Sequence, residues 1–317
     1  MPKVHLINPM RNPAGGSEHR TIALFEILAE VCDVQVWSEE DPHSSFLGQV
    51  PIRKIGPPAS FPQGGNLVFV GSYFSIGGWL KAAKPQRVVL IHNLDQPSRL
   101  RDIYGALRQV CVPHPEVVYA SQLLSRATPE IPGMIHESPI DLERFQPAKA
   151  SPPTFVVGRL SRDVPEKHHP GDPAIYRSLA ANGVGIRLMG AECLDLEGEN
   201  IEVVPEASVA PEEFLQSLSC FFYRTHPSWS EAFGRVILEA MACGLPVVGE
   251  RRQGYAEKLT AGEHAILTSN DDEAIAALQK LRDNEAFRQQ MGKAARNRAI
   301  DIYGESYRSR MQQFYGD

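Results

Sequence analysis

Residues 226–257 read HPSWSEAFGRVILEAMACGLPVVGERRQGYAE. Pro227-Ser228 is a turn signal, Phe233-Gly234 opens a helical pattern expected to run to Ala242, and Gly244-Leu245-Pro246 ends it ahead of the apolar pair Val247-Val248. A helix followed at once by a short β-branched run is one step of a βαβ unit, the building block of a parallel sheet.

Outward from this stretch the same alternation recurs. In the first half, strands are expected at Val4–Asn8, Asp33–Trp37, Leu67–Val70, Arg87–Ile91, Val117–Ala120 and Met134–Glu137, with helices near Glu18–Val31, Ser75–Ala83, Ser98–Val110 and Ser121–Arg126. Pro139, Pro147, Pro152 and Pro153 then interrupt both kinds of element. After them, strands are expected at Thr154–Gly158, Ile186–Met189, Ile201–Val204, Cys220–Tyr223, Pro246–Gly249 and Ala265–Thr268. Helices fall near Ala174–Ala181, Pro211–Leu218, Phe233–Ala242 and Gly254–Thr260, and nearly everything from Asp271 onward is helical. The expectation is an α/β protein of two Rossmann-like parallel-sheet domains, residues 1–147 and 148–300, with a C-terminal helix over 301–317. Such domains place the carboxyl ends of their strands on a shared cleft, so function is sought in the loops after strands.

Bulk properties narrow the function classes. The 317 residues suit two medium domains, and 43% hydrophobic with 22% charged residues is a globular composition. Net charge is −6, with 14 basic and 14 acidic residues up to position 150 and 18 against 24 after it, which argues against a nucleic-acid binder. No polybasic run is visible, although a local cluster suffices for peripheral membrane contact. No uninterrupted apolar stretch is long enough to span a bilayer, and the N-terminal MPKVHLINP lacks a signal peptide's apolar core. The five cysteines, Cys32, Cys111, Cys193, Cys220 and Cys243, form no Cys-x-x-Cys pair, which suggests neither a disulfide framework nor a zinc site. A cytoplasmic location is expected.

Several residues carry chemistry. Glu231 and Glu239 lie eight positions apart, about 12 Å along a continuous helix, too far to grip one metal. They must serve different parts of an extended ligand. The helix start at Phe233-Gly234 offers free amides to a phosphate or a developing anion. Arg159, in VGRLS at the end of a strand, and Lys167 beyond it could neutralise a departing diphosphate, with Arg162 as a rival to Lys167. Gly15-Gly16 precede the first helix and permit backbone contact with ligand oxygens, but they form no Gly-x-Gly-x-x-Gly fingerprint. His92 follows a buried-looking strand and is as readily a structural residue as a functional one. Arg251-Arg252 add positive charge that either serves an anionic ligand or pairs with Glu250; the pairing is expected.

Together these features resemble the retaining glycosyltransferases of family 4, whose signature is two glutamates separated by seven residues and a helix ending Ala-x-Gly-x-Pro-Val-Val. Glu231, Glu239 and AMACGLPVV match it, and the likeness runs through the C-terminal half and more faintly through the N-terminal half. The resemblance implies the GT-B architecture. It also implies that Glu231, with the backbone of Ala232, Phe233 and Gly234, holds the donor sugar while Glu239 accepts from ribose hydroxyls. Arg159 and Lys167 would hold the diphosphate, although their spacing of eight is longer than the family's. Arg159, Lys167, Glu231 and His92 form the expected catalytic set, Gly15 and Gly16 match the glycine-rich loop, and backbone near Val204 would read part of the base. Asp141, Phe145 and Pro147 match the family's hinge. One glycine of the family's Gly-Gly pair is replaced before Glu257. The final helix would cross back to the first domain, docked by Tyr303, Tyr307, Phe314 and Tyr315. The implied activity is metal-independent, retaining transfer of a sugar from a UDP- or GDP-sugar to a carbohydrate, lipid-linked or small-molecule acceptor in glycan or glycoconjugate synthesis. No cofactor is implied, and no Asp-x-Asp motif is present. The alternatives are a GT-B sugar-nucleotide isomerase or phosphorylase, and a non-catalytic nucleotide-sugar-binding homologue.

Overall fold

A computed structural model describes residues 1–111 and 113–317. The chain divides into two compact units, one of Met1–Pro139 with Glu305–Asp317 and one of Ile140–Gly304.

In the first unit, β1 (Lys3–Ile7), β2 (Asp33–Ser38), β3 (Ile52–Lys54), β4 (Asn66–Val70), β5 (Arg87–His92), β6 (Glu116–Tyr119) and β7 (Gly133–Ile135) form one parallel sheet in the order β3-β2-β1-β4-β5-β6-β7. Helices α1 (Gly16–Leu28), α2 (Trp79–Ala83), α3 (Pro97–Val110) and α4 (Gln122–Ala127) connect them. β4 is buried at every position, as a strand covered on both faces must be. β3 was not expected. It is three residues long, carries Arg53 and Lys54, and sits at the sheet edge, so it has neither the length nor the apolar pattern of a central strand.

In the second unit, β8 (Val156–Leu160), β9 (Gly185–Met189), β10 (Ile201–Val204), β11 (Cys220–Tyr223), β12 (Val247–Glu250) and β13 (Ile266–Thr268) run parallel in the order β10-β9-β8-β11-β12-β13. Its helices are α5 (Asp172–Ala181), α6 (Pro211–Gln216), α7 (Arg235–Ala242), α8 (Asp271–Asp283) and α9 (Glu285–Tyr303). Val157, Ile186, Leu188, Phe222 and Val248 from the strands pack with Ile175, Tyr176, Leu278 and Met291 from the helices into one core.

The last helix, α10 (Glu305–Gly316), packs on α1, β1 and β4 of the first unit. Tyr307 Oη donates to the Glu137 carbonyl at 2.8 Å, and Asn66 Nδ2 donates to the Tyr315 carbonyl at 3.0 Å. Phe314 lies under the Arg87 guanidinium, 4.3 Å from ring centroid to carbon. Tyr303, grouped with these in the sequence, belongs instead to α9. Among the described residues no helix is long and apolar enough to cross a membrane.

Each sheet has one point where successive connections leave in opposite directions, between β1 and β4 and between β8 and β11. Loops diverge there and leave a crevice at the carboxyl ends, the favoured ligand position of open α/β sheets. Residues 161–171 follow β8 and residues 224–234 follow β11, so two of the expected site segments meet at one switch point.

Candidate functional site

At the second unit's switch point Lys167 and Glu231 form an ion pair, Nζ to Oε2 at 2.5 Å, with both side chains largely buried. Tyr223 Oη, at the end of β11, donates to the same carboxylate oxygen at 2.9 Å. Burial alone would discourage ionisation of Glu231, yet the Lys167 ammonium and the Tyr223 hydroxyl outweigh it and hold the carboxyl below its ordinary value. The same burial, with Glu231 alongside, raises the Tyr223 phenol far above its usual range. Lys167 also lies 4.8 Å from the centre of the Trp229 ring, and Arg162 lies 5.8 Å from it. Of the two rival cations, Lys167 is therefore the one joined to Glu231.

The Glu231 backbone is fixed from the other side. Its N–H donates to Gln253 Oε1 at 2.6 Å, and its carbonyl accepts from the Gly254 N–H at 2.9 Å. A Cβ at Gly254 would stand 2.0 Å from the Ala232 carbonyl oxygen, so only glycine permits this approach. Gln253 Nε2 in turn donates to Thr225 Oγ1 at 2.8 Å and to Glu250 Oε2 at 3.1 Å. Arg252 pairs with Glu250 at 3.0 Å, as expected, and also donates to the carbonyls of Trp229, Thr225 and His226. These contacts brace the 224–234 loop.

The helix begins later than its sequence pattern suggests. Gly234 is the N-cap of α7 with φ +72°, and a Cβ there would lie 2.6 Å from Tyr255 Cδ1. A left-handed residue cannot continue a helix, so α7 starts at Arg235 and the 12 Å span from Glu231 along a continuous helix does not apply. No side chain caps this terminus, where the Ile237 N–H donates to the Gly234 carbonyl at 2.9 Å and the positive end of the helix dipole lies. Ala232 and Phe233 are buried beside it. Glu239, one turn into α7 and also buried, accepts from Arg235 Nε at 2.7 Å.

Arg159 occupies a different position from the one its loop suggested. Its side chain is 0% exposed and stacks 4.6 Å from the centre of the Tyr223 ring. It donates to the Arg224 carbonyl at 2.8 Å and to the Lys167 carbonyl, and it faces Asp172 at 3.5 Å. Asp172 also takes Arg224 at 2.5 Å, and Arg224 reaches Asp271 at 2.6 Å. Arg159 thus lies beneath Lys167 and holds its backbone instead of presenting a free guanidinium. Val204 closes β10, and its carbonyl accepts from the Gly190 N–H at 3.0 Å.

The remaining predicted residues lie in the first unit. Gly15 is the N-cap of α1 and Gly16 its first residue, directly after the β1 loop at that sheet's switch point. The neighbouring Glu18, buried, accepts from the Asn12 N–H at 3.3 Å and from Ser17 Oγ at 2.6 Å, which folds the loop onto its own helix. His92 ends β5, 2% exposed, with its ring edge-to-face on Tyr119. Burial lowers its pKa to about 4 despite Asp95, so the ring is neutral at pH 7.

The structure therefore groups Arg159, Lys167, Glu231, Ala232, Phe233 and Gly234 around one switch point, with Glu239 a turn along the adjoining helix, and places Gly15, Gly16 and His92 in the other unit. Sequence reasoning missed Tyr223, Gln253 and the Asp172–Arg224 support. Tyr223 is the last residue of an expected strand, which was the available signal for it; the other three depend on contacts between distant segments.

Comparison with known proteins bears on this arrangement. Residues 191–298 match the family model Glycosyl transferases group 1. D-inositol 3-phosphate glycosyltransferase of Corynebacterium diphtheriae is 34% identical over 109 residues, 34% of this chain and 26% of the relative. N-acetyl-alpha-D-glucosaminyl L-malate synthase of Bacillus anthracis is 37% identical over 94 residues, 28% of this chain and 24% of the relative. The match thus spans about a quarter of the length of these curated relatives. Over 99% of the chain, the structure superposes on 98% of Anabaena HepE, solved in complex with UDP and glucose, with TM-score 0.74 at 16% identity. A glycosyltransferase from Rickettsia africae gives 0.75 at 12% identity, with 99% of this chain and 97% of that one covered. The chain carries a glycosyl transferases group 1 domain and has the GT-B fold, two Rossmann-like parallel-sheet domains.

Proposed function

We propose that this chain is a retaining glycosyltransferase that moves a sugar from a nucleoside diphosphate donor to a hydroxyl acceptor. The observation that carries this reading is the buried Lys167–Glu231 pair at the carboxyl ends of β8 and β11, beside the uncapped start of α7. A charge pair at such a place is costly to bury and is accounted for if a ligand later shares it.

When the bond between sugar and diphosphate breaks, negative charge grows on the leaving phosphate and positive charge on the anomeric carbon. Lys167 and the first-turn amides of α7 supply fixed positive potential for the former. Arg159, through the Lys167 carbonyl, keeps that ammonium in place. Glu231 orients the sugar hydroxyls, and Glu239 receives the ribose once Arg235 gives way. The acceptor oxygen attacks from the face the diphosphate leaves, and its proton passes to the departing phosphate oxygen. Since Lys167 and backbone amides meet the charge, no resident cofactor or metal is required in this reading. The second unit serves the donor and the first unit the acceptor, with Gly15 and Gly16 read as donor-binding and His92 as catalytic. A UDP donor is favoured because HepE, similar over its whole length, is solved with UDP and glucose. Capsular polysaccharide biosynthesis glycosyltransferase CapM of Staphylococcus aureus, 27% identical over 158 residues, 45% of this chain and 41% of the relative, supports a role in glycan synthesis. Such a reaction would take place in the cytoplasm, with peripheral membrane contact where the acceptor is lipid-linked.

Incubation with UDP-, GDP- and ADP-sugars, reading nucleotide release, tests the proposal. Slow release from one donor, abolished in Glu231→Gln with the fold intact, is expected. Undiminished turnover in that variant would overturn it.

A further inference from the structure

We propose that Asp163, His168 and Cys193 form a zinc site that fastens the loop carrying Lys167 to the loop after β9. One ligand atom from each of the three lies within 4.8 Å of the others. Donors around a tetrahedral zinc, at bond lengths near 2.0–2.3 Å, stand about 3.5 Å apart, so the three lie close to the spacing that an ion would draw them to.

His168 provides the independent observation. It is 2% exposed, and its Nε2 faces the Gly190 carbonyl at 3.1 Å. A carbonyl only accepts, so Nε2 carries the proton and Nδ1 carries the lone pair. Nδ1 is buried and has no hydrogen-bond partner among the described residues. A backbone carbonyl that fixes the tautomer and leaves the other nitrogen free is the arrangement found behind metal-bound histidines. The carboxylate is also pre-set, because the Cys193 N–H donates to Asp163 Oδ1 at 2.9 Å and the Asp163 N–H donates to Glu206 Oε2 at 2.8 Å.

The two loops already touch. Ser161 N–H donates to the Met189 carbonyl at 3.0 Å, and a Cβ at Gly190 would lie 2.0 Å from the Ser161 carbonyl oxygen. One imidazole, one carboxylate and one thiolate suit zinc, and the two anions cancel its charge. Binding releases the Cys193 thiol proton to solvent, and a water would complete the four ligands. Because His168 adjoins Lys167, the ion would steady the cation of the neighbouring site without touching a substrate.

Chelator-treated protein titrated with cobalt(II) tests this directly. The other four cysteines are buried, so a thiolate-to-cobalt charge-transfer band reports Cys193. The expected result is a band that saturates at one equivalent, is displaced by one equivalent of zinc(II), and is lost in Cys193→Ser and reduced at least tenfold in affinity in His168→Gln and Asp163→Asn. No band at stoichiometric cobalt, or a band that survives Cys193→Ser, overturns the proposal. Cys193 is exposed, so that variant remains decisive if His168→Gln fails to fold. The outcome is independent of the proposed sugar transfer, since neither the band nor its loss requires turnover.

Discussion

Lys167 and Glu231 shield each other, and removing either has two separable consequences. Lys167→Ala leaves a carboxylate buried without its cation, which costs about 3 kcal/mol of stability by analogy with other broken buried pairs. Glu231→Gln keeps the shape and an amide oxygen for Tyr223 Oη and Lys167 Nζ to donate to, but it leaves the ammonium buried without its anion, so its unfolding midpoint in urea should fall as well. Both should lower nucleotide release by at least about 100-fold, the scale of a lost charge-stabilising group. A Glu231→Gln enzyme of normal activity would show that the pair is structural. His92 gives a second residue-scale expectation. Its folded-state pKa is depressed to about 4 from an ordinary 6.5, so the folded form binds fewer protons than the unfolded. Its contribution is present above pH 6.5 and is lost as pH falls toward 4, roughly 3 kcal/mol at full extent. Urea titrations at several pH values should show a shallower loss in His92→Gln than in the wild type over that window.

Among the elements, α7 depends on two glycines for its place, and a third glycine supplies the contrast. Gly234→Ala puts a Cβ into left-handed backbone and 2.6 Å from the Tyr255 ring, and Gly254→Ala puts one 2.0 Å from a carbonyl oxygen. Each should cost 2 kcal/mol or more and displace the Glu231 loop, read as a lowered urea midpoint together with weakened nucleotide protection against melting. Gly16→Ala meets nothing within 4 Å inside α1 and should preserve stability or raise it by about 0.5 kcal/mol. If ligand oxygens approach its backbone, activity should nonetheless fall. The sequence disclosed α7 and β12 because apolar spacing, Gly244 and Pro246 are local signals. It could not disclose that Gly234 is left-handed, since glycine at a helix start fits several conformations, nor that Arg159 is turned inward, since that follows from Asp172 and Arg224 on other segments. The short edge strand β3 escaped for the opposite reason: polar and only three residues long, it carries almost no pattern.

For the whole molecule, the chain order of the units is not their spatial membership. The last thirteen or so residues, Glu305–Asp317, belong with Met1–Pro139, so the first unit is complete only after the second has been synthesised. Tyr307, Met311 and Tyr315 of α10 are buried against that unit, each contributing about 2 kcal/mol by area, and Gln312 Nε2 donates to the Ile27 carbonyl at 3.0 Å. A chain ending at Gly304 should therefore show faster amide hydrogen exchange in α1, β1 and β4, by at least about 100-fold, since lost burial of this size lowers the local opening free energy directly. The second unit's core, from Val157 to Met291, draws no residue from α10. Exchange in β8, β11 and β12 should stay at the full-length rate, and so should any nucleotide protection that the second unit provides alone. Uniform acceleration throughout the chain would mean that α10 stabilises the molecule globally, and unchanged exchange in α1 and β4 would mean that the packing of α10 contributes little.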